Sequence, residues 1–180
     1  MSDSFALSRL SAAQTALAEA KTLDDLKHIM GIAEAAIAYA KAAKMSIEVQ
    51  NSGAELAIRA QRLAGEKLAQ LERGKTGPKE IISTRGNNSD TSEYKAALEE
   101  SDTSYQQANR WQAIASVPEE EFEKHIEQVM TKNDELTSAG VLRVGQQIKR
   151  ENRIGAIKEA AALPDAKYRI IYADPTWPYD

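Results

Sequence analysis

"TLDDLKHIMGIAEAAIAYA", from Thr22 to Ala40, decides the fold class. Its apolar positions Leu26, Met30, Ala33, Ile37 and Ala40 recur at alternating steps of three and four. That spacing puts them on one face of an α-helix, whereas a strand would alternate every second residue. Thr22 and Asp25 supply the start signal. The hydroxyl can accept from the backbone of the first turn while the acid reaches back to the cap.

Working outward, a second run of the same kind follows "KMSIEVQNSG": Leu56, Ala60, Leu63, Leu68 and Leu71 form another stripe. Either Ser46 caps it or one helix continues unbroken through Asn51 and Gly53. Alanine-rich stripes let helices approach closely but bury little surface per residue. A lone helix of this kind is marginal, so the stripes are expected to pack on each other or on a second copy of the chain, as a homodimer through the N-terminal helices.

Composition narrows the class further. A length of 180 residues suits one domain or two small ones. An aromatic share of 6%, with little valine, favours helices over a sheet. The net charge of -4 gives no general attraction to nucleic acid, so any such contact needs a local basic patch. The absence of cysteine excludes disulfides and thiolate metal sites and fits a reducing cytoplasm. "MSDSFALSRLSAAQ" has neither the basic start nor the apolar run of a signal peptide. No stretch approaches the roughly 20 apolar residues that span a bilayer. The expectation is a cytoplasmic protein with no membrane contact.

The chain reads as four parts. Residues 1–72 are long Ala-rich helices, arranged as a helical hairpin or coiled-coil-like pair. Residues 73–92 form a basic flexible linker, broken by Gly74, Gly77 and Pro78 and carrying Arg73, Lys75, Lys79 and Arg85. Such a segment can clamp phosphates without reading sequence, or it is a solvated connector that happens to be basic.

Residues 93–163 make a small helix-turn-helix-like bundle. "SEYKAALEE" is a short helix, "SDTS" a turn, and "SYQQANRWQAIA" a second helix capped by Asp102, Thr103 or Ser104. Ala108, Trp111 and Ile114 face inward, while Gln106, Gln107, Asn109, Arg110 and Gln112 fill the polar side. Gln, Asn and Arg are the side chains that reach adenine and guanine edges in a major groove, so Gln106, Asn109 and Arg110 are candidate DNA contacts. The alternative is a structural hairpin whose polar face meets only water. "SVPEEEFEKHIEQVM" then starts a helix with Ser116 as cap and Pro118 at the first helical position, followed by three glutamates that suit the positive dipole end. This acidic helix should lie away from bound phosphate. Thr137 or Ser138 caps a last helix reaching about Arg150, on which Arg143, Lys149, Arg150 and Arg153 tip the local balance positive. His28 and His125 are isolated, so they read as surface or boundary residues, and no metal site is expected.

Residues 165–180 change period. In "KYRIIYADPTWPYD", Tyr168 to Ala173 is a β-branched and aromatic run that fits one buried strand of an α/β sheet. Asp174 follows at the strand's carboxyl end, where ligands gather in open α/β sheets. Here the sequence resembles the N6-adenine DNA methyltransferases, whose signature is an apolar strand followed by Asp-Pro-Pro-Trp. Asp174, Pro175 and Trp177 match it, and Thr176 replaces the second proline. "NRWQAIASVPEEEFEKHI", Asn109 to Ile126, also looks like the accessory N-terminal region of phage and bacterial members.

The resemblance implies a catalytic role for three residues. Asp174 would accept a hydrogen bond from the exocyclic adenine amine, the Pro175 backbone would take the second, and Trp177 would stack on the extruded base. It also implies a fold that is mainly α followed by the first strand of an incomplete α/β methyltransferase domain. In this family the segment that binds S-adenosylmethionine follows the motif. No residue of this chain is therefore assigned to that cofactor, which is expected in the complete protein and not in these 180 residues. The implied partner is double-stranded DNA, and the chain as given is expected to be an inactive N-terminal fragment. The reading from another class is a helical DNA-binding or oligomerising adaptor without catalytic activity.

Overall fold

A computed structural model describes residues 2–71 and 93–159. The readings at Lys75, Lys79 and Arg85, and at Asp174, Pro175 and Trp177 with their strand, lie outside those residues. The described residues form seven α-helices: α1 (Ser2–Glu19), α2 (Leu23–Ala42), α3 (Ile47–Gln70), α4 (Glu93–Glu100), α5 (Tyr105–Ala115), α6 (Glu119–Lys132) and α7 (Ser138–Glu159). The chain is thus mainly helical, and none of these helices is long and apolar enough to cross a membrane.

The start of α2 is the capping box read from the sequence. Thr22 Oγ1 accepts from the Asp25 N–H at 3.1 Å, and Asp25 Oδ2 accepts from the Thr22 N–H at 2.9 Å. These bonds, the Thr22 backbone N–H first, hold the Asp25 carboxyl below the usual carboxylate range. At the other end Lys44 turns to φ 53°, which lets the Met45 N–H reach Ala40 O at 2.9 Å and closes the helix. Ser46 occupies the cap position of α3 but makes no side-chain cap bond, and α3 runs unbroken through Asn51 and Gly53.

The two stripes pack on each other within the chain. Leu26, Met30, Ala33 and Ala40 of α2 are buried, as are Leu56, Ala60 and Leu68 of α3. Around them one core gathers Leu10 of α1, Tyr94 and Leu98 of α4, and Ala108 and Trp111 of α5. A second core joins Ile58 of α3 to Ile114, Val117, Phe122, Ile126 and Val141. Both cores therefore draw on residues before 72 and after 92, with α3 common to each.

Two boundaries differ from the sequence reading. Pro118 is the cap of α6 and Glu119 its first residue, while Ser116 belongs to the end of α5, where its hydroxyl donates to Ala113 O at 2.8 Å. The short Ser-Val-Pro connection is consumed by packing Val117, so Ser116 finishes one helix and does not start the next. The last helix also continues past Arg150 to Glu159. Its start is as expected, with Thr137 Oγ1 accepting from the Gly140 N–H at 3.1 Å.

The glutamates of α6 have a second use besides the helix dipole. Arg59 of α3 donates to both Glu123 oxygens at 2.5 and 2.8 Å and to Glu55 at 2.9 Å. Arg62 pairs with Glu119 at 2.7 Å, donates to Val117 O at 2.9 Å, and lies 4.5 Å from the centre of the buried Phe122 ring. Bidentate donation from Arg59 holds the Glu123 carboxyl below its ordinary range. A carboxyl so lowered contributes stability above its unfolded pKa of about 4.3, and that stability is lost as pH falls through the folded value. The urea midpoint of the wild type should therefore fall more steeply below about pH 4.3 than that of Glu123→Gln. Glu123 is partly exposed, so solvent screening keeps the difference modest. Parallel acid profiles of the two proteins would remove this role from Glu123.

Candidate nucleic-acid interface

α4, the turn Ser101 to Ser104 and α5 form a helix–turn–helix whose turn is over-determined by hydrogen bonds. Ser101 and Thr103 are buried; their hydroxyls lie 2.9 Å apart, and the Thr103 N–H donates to Leu98 O at 2.8 Å. Asp102 takes a left-handed φ of 44°, a strained position for a residue with a Cβ. Lys27 of α2 offsets that strain: its ammonium donates to Ser101 O at 2.6 Å and Asp102 O at 2.7 Å, placing a cation on the carbonyl end of α4. Nothing in the sequence signals this clamp, because Lys27 reads as one more polar residue beside a helix stripe.

The residue that caps α5 is Ser104. Its Oγ accepts from the Gln107 N–H at 3.2 Å, and Gln107 Oε1 accepts from the Ser104 N–H at 3.0 Å. Gln107 is thereby committed to the cap. The Tyr94 and Tyr105 rings, 6.1 Å apart, link the first turn of α4 to the first turn of α5.

On the inward side Ala108, Trp111 and Ile114 are buried, as read from the sequence. The backbone of α5 comes so near α3 that a Cβ placed on Gly65 would sit 2.2 Å from Trp111 O. With that side locked, Gln106, Asn109 and Arg110 remain exposed, and Gln112 is half-buried at the edge. Ala113, one turn beyond Arg110, lies under α7, where a Cβ on Gly145 would be 3.9 Å from Ala113 O and 3.0 Å from Val117 Cγ2. The structure thus brings Gln106, Asn109 and Arg110 together on one solvent-facing patch bordered by α7.

The two histidines stand apart. His28 is exposed on α2, and His125 is half-buried between α6 and α7, with burial lowering its pKa. Among the described residues no three His, Cys, Asp or Glu side chains gather in a way that could hold a metal ion. No protein-family model, curated protein or solved structure matches the chain.

Proposed function

We propose that this chain carries the accessory helical region and the base-pocket motif of an S-adenosylmethionine-dependent N6-adenine DNA methyltransferase, with α5 meeting double-stranded DNA. The observation that carries the reading is the apolar run Tyr168 to Ala173 ending in Asp174, Pro175, Thr176 and Trp177. The exposed trio Gln106, Asn109 and Arg110 supports the DNA contact, because these side chains project from a helix fixed on its opposite face.

The chemistry suits those residue types. The adenine amine is a weak nucleophile because its lone pair is delocalised into the ring. A carboxylate at Asp174 accepting from one N–H, and the Pro175 carbonyl accepting from the other, would favour the pyramidal nitrogen that attacks a methyl group. Trp177 would stack on the base once it leaves the duplex. S-adenosylmethionine supplies the methyl group as an electrophile on sulfur.

Two measurements test the reading separately. Tritium transfer from labelled S-adenosylmethionine to adenine in duplex DNA, by the gene product carrying these residues, should be lost in Asp174→Ala. Transfer that survives this change refutes the enzyme reading. Duplex binding by fluorescence anisotropy should weaken about tenfold in Arg110→Ala, the loss of one charge-assisted contact of about 1.4 kcal/mol. DNA binding without any methyl transfer by the wild type would favour the adaptor.

A further inference from the structure

One stretch of α7 carries a run of exposed residues. From Lys149 to Ile154 each residue is exposed, so this stretch stands clear of both cores. These six residues, five polar and Ile154, extend from the part of α7 that Val141 and Ile148 anchor to the second core. Its charge is one-sided. Between Arg143 and Arg153 there are four cations, Arg143, Lys149, Arg150 and Arg153, against one acid, Glu151.

Position on the helix sharpens the asymmetry. Arg143, Gln146, Arg150 and Arg153 follow steps of three, four and three, which aligns them on one face. Val141, Gly145 and Ile148 occupy the face that meets the core. The flank bearing Val144, Gln147 and Glu151 borders α6 with its glutamates, and Glu151 is engaged there by Gln147 at 2.9 Å. The basic stripe is on the remaining side, turned away from the acidic helix.

Several cations elsewhere in the fold are committed: Arg59 and Arg62 to α6, Lys41 to Glu135, Lys27 to the turn, whereas exposed lysines such as Lys21, Lys44 and Lys132 are scattered over different elements. Arg110, Arg143, Lys149, Arg150 and Arg153 form no ion pair among the described residues, although all five are exposed. Gly145 of α7 crosses Ala113, one turn beyond Arg110, so the two helices that carry these residues meet in the fold. Arg143 to Arg153 covers about 15 Å of helix, a length matching about four phosphates of one strand.

We infer that Arg143, Arg150 and Arg153, with Lys149 beside them, form a second contact surface that grips the phosphate backbone of a duplex whose groove faces α5. The inference rests on the DNA reading of α5 but involves different residues and a different kind of contact. Phosphate contacts position a protein without reading bases, so removing them weakens all sequences alike.

The test uses the full chain, a 20-base-pair duplex and a sodium chloride series. The triple variant Arg143→Gln, Arg150→Gln, Arg153→Gln should make the negative slope of log binding constant against log salt shallower by about 2.7, at about 0.9 per phosphate. Lys21→Gln, Lys44→Gln, Lys132→Gln makes the same change in net charge at exposed sites on other helices and connections, and should leave the slope near wild type. An unchanged slope in the first variant overturns the inference, as does an equal shallowing in the second. If Arg110→Ala weakens binding while the α7 variant keeps its slope, the α5 reading stands and this one fails. If the α7 variant loses slope while Arg110→Ala binds normally, α7 holds the backbone and the α5 reading fails. Stronger displacement by a polyglutamate peptide than by unlabelled duplex would assign the surface to an acidic protein, against the inference.

Discussion

Gly65→Ala should destabilise the protein by about 3 kcal/mol or more, the upper range for overpacking, because nothing near the site can yield. The added methyl would meet Trp111 O at 2.2 Å, Trp111 C at 2.4 Å and Gln112 N at 2.8 Å. All three are backbone atoms inside α5, so relief requires the two helices to separate. Separation would strip burial from Ala64, Leu68, Ala108 and Trp111 together. Gly31→Ala is the matched control. Gly31 is exposed in the middle of α2 with nothing within 4 Å of its added Cβ. There the usual helix preference for alanine applies, and the change should stabilise by about 0.5–1 kcal/mol. Urea unfolding of the pair, followed by far-UV circular dichroism, should move in opposite directions. A Gly65→Ala protein as stable as wild type would mean that α3 and α5 are not in backbone contact. Because the crossing holds the inward side of α5, the same variant should also weaken DNA binding without touching an exposed residue.

What could be read in the sequence was local. The capping box at Thr22 and Asp25, the apolar stripe of α2 and the inward trio of α5 each depend on residues within a few turns of one another. Helical periodicity and cap chemistry determine them without help from the rest of the fold. The crossing at Gly65 is of another kind. A glycine within an alanine-rich run looks like a weakness in a helix, and only the arrival of Trp111 from 46 positions away gives it a purpose. The Arg59–Glu123 and Arg62–Glu119 pairs were equally hidden, since the glutamates already had a sufficient local reason at the start of a helix. For the candidate interface, the exposed polar side of α5 was legible. The assignment of Gln107 to the cap required coordinates, although Ser104 and Gln107 have capping-box spacing. The exposure of Arg143, Arg150 and Arg153 together on one side of α7 could not be read from charge alone.

The second large effect is expected at Asn51, a polar residue in the second turn of α3, just before its buried apolar positions, and only 1% exposed. Its amide donates to Asp134 O at 2.7 Å, and its carbonyl accepts from the Leu136 N–H at 2.9 Å. Both partners lie in the connection between α6 and α7, which the left-handed Asn133, at φ 58°, turns away from α6. That connection has no strand or helix to satisfy its backbone, so a buried carboxamide on α3 does so. Asn51→Leu keeps similar volume but removes both bonds and leaves the N–H of the buried Leu136 without its acceptor. A loss of about 2–4 kcal/mol follows from the desolvated backbone groups. Asn51→Asp separates hydrogen bonding from shape. At neutral pH its carboxylate can still accept from Leu136 but has no proton for Asp134 O, and a buried charge faces a carbonyl dipole. On acidification the protonated carboxyl can donate to Asp134 O, so the deficit of Asn51→Asp relative to wild type should shrink as pH falls. The sign follows from a folded-state pKa raised above the unfolded value of about 3.9: this variant's penalty grows as pH rises through that window. A deficit independent of pH would mean that the site is wet enough to solvate the charge. The link to function runs through α7, whose first turn begins directly after this connection. If Asn51 sets where α7 starts, Asn51→Leu should alter the salt slope of DNA binding even in the fraction of protein that remains folded.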